Sequence, residues 1–143
     1  MRRAPSASAP AKSPLAASYR QVRAISVDLA TGLSEADATV QSMEDASPAK
    51  WHLAHTTWFF ETFVLVPNAP GYRVFDERYG FLFNSYYETV GDRHPRPRRG
   101  MLTRPALVDV LAYRDHVDAA LAAWLPAAGA APRDLVELGL HHE

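Results

Sequence analysis

Two histidines in an aromatic segment are the residues of this chain best suited to chemistry. His52 and His55 lie in SPAKWHLAHTTWFFE, residues 47–61, among two tryptophans and two phenylalanines. An imidazole in apolar surroundings is costly unless it has a partner, and a metal ion is one such partner. His141 and His142, near the end of the sequence, provide a second pair. Together the two segments indicate a histidine-based metal site, and hydrogen-bonded core histidines are the alternative interpretation.

The composition limits which ligands such a site can use. The chain has no cysteine, which excludes disulfides, thiolate metal ligands and a cysteine nucleophile. A metal would therefore be held by His, Asp or Glu. The net charge of −1 provides no global field that attracts nucleic acid or an anionic membrane. No apolar run approaches the ~18 residues that span a bilayer. We therefore predict a cytoplasmic protein without nucleic-acid or membrane partners.

A basic cluster forms a second candidate site. Its side chains alternate with two prolines and are those of Arg93, His94, Arg96, Arg98 and Arg99. The guanidinium fork binds carboxylates and phosphates, so one interpretation is capture of an anionic substrate. A solvated loop is the other interpretation.

Helical periodicity predicts the elements that hold these residues. Four segments show it, and no stretch alternates convincingly with the period of a strand. The first spans about 16–32, and its apolar stripe is formed by Tyr19, Val22, Ile25 and Leu29. The second spans about 47–66, where Ser47 suits the N-cap and Pro48 the first helical position.

The third helix is predicted over about 105–125, and the fourth begins after Pro132 and is still helical in pattern at the last residue. A chain of 143 residues with 48% hydrophobic content suits one domain. We thus predict an all-α four-helix bundle over residues 16–143 with a truncated last helix. Residues 1–15 are predicted to be a disordered tail, and an organelle transit peptide is the alternative for this acid-free segment.

A long connection, residues 67–104, separates the second and third helices. Connections of this length are usually functional or disordered. This one is rich in arginine and aromatic residues, and the aromatic residues are Tyr72, Phe75, Tyr79, Phe81, Phe83, Tyr86 and Tyr87. Such a content favours a packed functional loop over disorder.

Helical phase helps to choose among the histidines. His55 shares its face with Trp51 and Trp58 and is the better candidate for burial, whereas His52 lies about 60° away and is expected to pack or support. His94 and His116 are interpreted as loop and surface residues.

In the last helix, His142 continues a stripe formed by Leu135, Leu138 and Gly139 and is predicted to point inward. His141 is predicted to point outward. Glu143 is turned about 100° further and is not expected to reach a site that His142 faces. Inward histidines on separate helices are one way in which bundles build metal sites.

Several long segments resemble, in order, the N-terminal region of ergothioneine-biosynthesis sulfoxide synthases, from about Tyr19 to Glu143. These segments are SPAKWHLAHTTWFFETFVL, FLFNSYYETVG, RHPRPRRGMLTRP, YRDHVDAAL and LVELGLHHE. The resemblance implies a DinB-like four-helix bundle. It also implies a non-haem Fe(2+) enzyme that uses O2 to join the sulfur of γ-glutamylcysteine, or of cysteine, to hercynine as a sulfoxide.

The resemblance also implies which residues act. Three histidines hold the iron: His55, His142 at the start of an H-E-x-x-H-like motif, and a third that would lie four residues after His142. Arg96 and Arg99 would bind the carboxylates of the thiol substrate. No catalytic residue is assigned here, because the catalytic tyrosine and much of the hercynine pocket belong to a second domain, similar to sulfatase-modifying enzymes. Without that domain we expect an inactive fragment that folds poorly.

Two other functions remain open. One is a different DinB-like, metal-dependent enzyme, such as a thiol-dependent transferase, although the Trp-His-x-x-His context argues against it. The other is a stand-alone bundle that binds a metal weakly or only packs against a partner.

Overall fold

The computed structural model describes residues 14–85 and 91–143, and no β-strand is present in these ranges. The predicted all-α fold is therefore confirmed. The α-helices are α1 Pro14–Ala30, α2 Glu35–Thr39, α3 Ala49–Phe59, α4 Val66–Asn68, α5 Tyr79–Leu82, α6 Leu107–Trp124 and α7 Ala130–His142. A π-helical segment, Phe60–Leu65, joins α3 to α4, and 3-10 turns cover Arg96–Met101 and Leu125–Ala127.

Four rods form the bundle: α1, the continuous run from α3 to α4, α6 and α7. Helix α3 packs along α6, while the π segment contacts both α6 and α7. Helix α1 contacts α3 and α7. The centre is filled by fully buried side chains that include Trp58, Phe60, Tyr113, Val117 and Leu121. None of the helices in the described ranges is long and apolar enough to cross a membrane.

The helix boundaries differ from the predicted ones at several points. Helix α1 already includes Pro14 and Leu15, which were assigned to the tail, and the rest of that predicted tail lies outside the described residues. Ser47 is not the N-cap of α3. Pro48 takes that position, and the Ser47 hydroxyl accepts a hydrogen bond from Arg99 Nη1 at 2.9 Å.

Two helix ends also shift. The second rod continues beyond Val66 to Asn68, because Pro67 lies in the first turn of α4, where its missing N–H is tolerated. Helix α7 begins at Ala130, before Pro132, for the same reason: Pro132 lies in the first turn.

Helix α1 buries Tyr19 but leaves the C-terminal half of its apolar stripe at the surface. Ile25 and Leu29 are 49% and 82% exposed, whereas Arg23 is buried. The guanidinium of Arg23 donates to Asp118 at 2.8 Å and to Glu143 at 3.1 Å. These ion pairs turn the Tyr19 and Arg23 edge of α1 inward, which leaves the apolar residues Ile25 and Leu29 at the surface.

The inward stripe of α7 is only partly as predicted, since it includes Gly139 but not Leu138. Leu138 is 56% exposed, whereas Val136 and Gly139 are buried. Gly139 lies against the rings of Phe59 and Phe60, so α7 packs closely on the bundle at a position that has no side chain.

The described part of the connection between α4 and α6 is packed on the bundle, as predicted. Buried Glu61 of the π segment accepts hydrogen bonds from the Tyr72 hydroxyl at 2.6 Å and the Phe75 backbone N–H at 3.0 Å. It also accepts from the Tyr113 hydroxyl of α6 at 2.6 Å. One carboxylate thus joins the connection to two rods. The predicted aromatic residues Tyr86 and Tyr87 lie outside the described residues.

Candidate functional site

His55 projects from α3 and is buried. Its ring lies between Trp51, at 4.6 Å between ring centroids and 14° between planes, and Trp58, at 5.6 Å and 16°. Its Nδ1 is 2.6 Å from the carbonyl oxygen of Phe83, which follows α5. Because a carbonyl oxygen only accepts hydrogen bonds, Nδ1 carries the proton and Nε2 of the neutral ring is left with its lone pair.

That lone pair points at α7. His142 Nε2 lies 2.9 Å from His55 Nε2, and the two rings meet edge-on at 4.9 Å between centroids. His142 also packs against Phe59. The structure therefore brings together the two histidines that were predicted as metal ligands, from helices 87 residues apart in sequence. His142 is directed at His55 as expected, although the residue itself remains exposed.

Burial is the main cause that lowers the pKa of His55 to about 4, and the charges of His142, Arg99 and His52 act in the same direction. The carbonyl of Phe83 opposes this change. His55 is consequently neutral at pH 7, which is the form of imidazole that binds metals.

The two predicted arginines share a cavity with these histidines. It has a volume of about 360 Å³, and its wall includes His55, His142, Arg96 and Arg99. Asp45, Ser47 and Ser85 contribute to the same wall. The structure thus places all four residues of the predicted site around one space. A neighbouring cavity of about 430 Å³ is lined by Arg93, Arg96 and Arg99.

Arg99 is the most buried member of the basic cluster, with 3% of its surface exposed. Its guanidinium lies 3.4 Å from the ring centroid of Trp51 and donates to the hydroxyls of Ser47 at 2.9 Å and Ser85 at 3.4 Å. Its buried Nε has no hydrogen-bond partner, and Arg99 has no ion-pair partner in the described ranges. Burial first, and then the charges of Arg96 and Arg93, lower its pKa to about 10. These features suit Arg99 to bind an anion.

Gln41 positions the 3-10 turn that carries these arginines. Its Nε2 donates to the Arg96 carbonyl at 2.9 Å, and its Oε1 accepts from the Gly100 backbone N–H at 2.8 Å. Gly100 is required here, because a Cβ at that position would overlap the side chain of Gln41. Nothing in the sequence pattern identified Gln41.

A buried ionic network holds the end of α7. Glu143 accepts from Arg114 Nη2 at 2.7 Å and from Arg23 Nη1 at 3.1 Å, and its side chain is 1% exposed. Burial acts to raise the pKa of Glu143, but the charges of Arg23 and Arg114 prevail and lower it. Glu143 was not expected to reach a site that His142 faces; it contributes to the wall of the 360 Å³ cavity, but these two arginines draw its carboxylate into the bundle. Its oxygens are engaged by guanidinium groups.

The other four histidines lie outside this pair. His52 and His141 are exposed, and His52 lies on the rim of the 360 Å³ cavity. His94 and His116 each contact a backbone carbonyl, of Arg98 and Arg73 respectively, at 3.0 Å. None of these four joins the pair formed by His55 and His142.

The histidine pair is suited to two positions on one metal ion. Two ligand nitrogens about 2.1 Å from a metal and at right angles to one another lie about 3 Å apart. The observed separation of 2.9 Å agrees with that spacing, and the lone pair of His55 Nε2, which here accepts a hydrogen bond from His142 Nε2, faces the position that a metal would take. Within residues 14–85 and 91–143, however, no group of three His, Asp or Glu side chains is arranged to hold a metal. A further ligand would have to come from elsewhere.

The fold and the site define an all-α bundle in which two helices bring histidines together beside an arginine-lined cavity. A family model described as the DinB superfamily matches residues 18–142. The chain therefore belongs to the DinB superfamily. No curated protein matches the sequence significantly.

Proposed function

We propose that this chain is the iron-binding N-terminal bundle of a non-haem Fe(2+), O2-dependent sulfoxide synthase of ergothioneine biosynthesis. The observation that carries the proposal is the contact of His55 with His142 at 2.9 Å in a cavity that also contains Arg96 and Arg99. The resemblance to these synthases provides the reaction, in which γ-glutamylcysteine or cysteine is joined to hercynine. A cytoplasmic location is part of the same proposal.

In this proposal His55 and His142 provide two of the three histidine ligands. The resemblance places the third four residues after His142, which is one helical turn further on the same face. When bound, iron(II) would supply a binding position for the thiolate and activation of O2. Phe83 fixes the tautomer of His55, and Trp51 and Trp58 fix the plane of its ring. Such outer contacts commonly orient ligating histidines.

Arg96 and Arg99 are assigned to the carboxylates of the thiol substrate. Arg99 supports this role best, since it is buried, charged and lacks an ion-pair partner among the described residues. The hercynine pocket and the catalytic acid are assigned to a second domain, so the bundle alone is proposed to be inactive.

Metal titrations of this chain test the proposal. Cobalt(II), an air-stable substitute for iron(II) with visible absorption, is added to the wild type and to single alanine variants. Loss of an outer-shell partner lowers metal affinity by roughly 10- to 100-fold. We expect His55→Ala and His142→Ala, which remove the ligands themselves, to lower cobalt affinity by more than this. His52→Ala and His141→Ala are matched controls, each close in sequence to one ligand, and should retain metal binding. Equal losses in His52→Ala and His55→Ala would contradict the assignment.

A thiol titration tests the substrate. γ-Glutamylcysteine added to the cobalt-loaded chain should produce a sulfur-to-cobalt absorption band, and γ-glutamylserine should not. A chain that binds cobalt but responds identically to both compounds would instead support a stand-alone metal-binding bundle.

A further inference from the structure

Three side chains to which the proposed function gives separate roles, Arg99, Trp51 and His55, form one continuous stack. The Arg99 guanidinium lies 3.4 Å from the ring centroid of Trp51. The Trp51 ring in turn stacks on His55 at 4.6 Å and 14°. Trp51 is therefore in direct contact with both the buried arginine and the buried imidazole.

The two rings are also held by the same piece of backbone. Trp51 Nε1 donates to the carbonyl of Leu82 at 2.9 Å, and His55 Nδ1 donates to the next carbonyl, of Phe83, at 2.6 Å. Neither ring can tilt without breaking its hydrogen bond or moving the other. The pair of rings therefore behaves as a unit whose position depends on the end of α5.

We propose that Trp51 is a positioning residue that couples an anion site at Arg99 to the imidazole of His55, so that occupation of one site changes the affinity of the other. The inference rests on the proposed function for the metal at His55. The coupling itself is a property of the stack and also exists in the metal-free chain.

The geometry gives the sign of this coupling. The contact with the Trp51 ring and the hydrogen bonds to Ser47 and Ser85 hold the positive charge of Arg99 against the indole that His55 also contacts. A cation at His55 is repelled by that charge. A carboxylate bound to Arg99 neutralises it, so the anion should strengthen metal binding, and the metal should strengthen anion binding by the same factor.

The test uses glutarate, a dicarboxylate without a thiol, and cobalt(II). We expect saturating glutarate to tighten cobalt binding about fivefold in the wild type, the lower end of typical coupling. Trp51→Leu should reduce this factor to about one while the chain still binds each ligand separately. Trp51→Phe retains an aromatic face and should restore part of the coupling. Trp124→Leu, which removes a tryptophan that contacts neither site, should leave the factor unchanged.

A second measurement is independent of the metal. Glutarate should shift the imidazole nitrogen resonances of His55 in the metal-free wild type and in Trp51→Phe, but not in Trp51→Leu. A merely structural role for Trp51 would leave this response in every folded variant.

The outcomes separate the two proposals. If cobalt does not bind, the proposed function fails, and the nitrogen resonances alone decide the coupling. If cobalt and glutarate both bind without affecting each other, the coupling is wrong while the proposed function stands. Wild-type coupling in folded Trp51→Leu, or no binding of glutarate to the wild type, would also overturn the inference.

Discussion

Gly139 of α7 lies directly against the ring of Phe60 in the π segment. A Cβ at position 139 would be 2.7 Å from Phe60 Cζ and 2.9 Å from Phe59 Cε1, which is closer than real Cβ atoms approach. The missing side chain allows α7 to approach the second rod closely enough for His142 to contact His55, one helical turn further on.

We therefore expect Gly139→Ala to destabilise the chain by about 1–3 kcal/mol, the usual cost of overpacking a core. It should also weaken cobalt binding, because α7 must move away from His55. Gly80→Ala is the matched control, since Gly80 is exposed in α5 and nothing lies near its absent Cβ. Urea unfolding and cobalt titration measure the two effects. If Gly139→Ala were as stable as Gly80→Ala, the close contact between the rods would not exist in solution.

A second prediction concerns Glu143, whose carboxylate joins Arg23 of α1 to Arg114 of α6. Glu143→Gln leaves these two buried guanidinium groups without their shared negative charge. Removing one partner of a buried ion pair costs about 3–5 kcal/mol, and we expect a loss near the lower value because the amide oxygen still accepts a hydrogen bond. Glu137→Gln is the control, because Glu137 is exposed on the same helix. Similar unfolding midpoints for the two variants would contradict this role.

The sequence predicted much of the fold and part of the site, for identifiable reasons. Periodicity indicated the four rods, and phase distinguished His55 from His52, since both depend on which face of one helix is apolar. The sequence could not reveal the buried Arg23, because a buried arginine in a helix has the same sequence pattern as an exposed one. Nor could it reveal the contact of Arg23 with Glu143, which is 120 residues away. Gln41 and the short helices α2 and α5 were missed because tertiary contacts, rather than a repeating pattern, define them.

The low pKa of His55 predicts a pH dependence of stability in the metal-free chain. The pKa falls from 6.5 to about 4 on folding, so between these values the unfolded chain binds more protons than the folded one. The free energy of unfolding should therefore decrease as the pH falls from 6.5 towards 4, by up to about 3 kcal/mol. Above pH 6.5 the loss does not occur, because the imidazole is neutral in both the folded and the unfolded chain. His55→Gln lacks the titrating group, so the difference between its unfolding curves and those of the wild type isolates the effect. A difference that stays constant across this range would show that His55 is not desolvated.

The arginine-lined cavity provides the last prediction. Arg96→Ala should weaken the binding of γ-glutamylcysteine by roughly 10- to 100-fold, because a charged hydrogen bond contributes roughly 1.5–3 kcal/mol. Cobalt affinity should remain close to that of the wild type. Arg98→Ala is the control, since Arg98 has the same charge but is exposed and outside both cavities. Gln41→Ala should act like a milder Arg96→Ala, because it removes the hydrogen bonds that hold the Arg96 carbonyl and the Gly100 N–H. Calorimetric titration of the thiol and spectroscopic titration of cobalt separate the two affinities. Loss of cobalt binding in Arg96→Ala would show that the loop supports the histidine pair structurally. Equal thiol affinities in Arg96→Ala and Arg98→Ala would show that Arg96 does not bind the substrate.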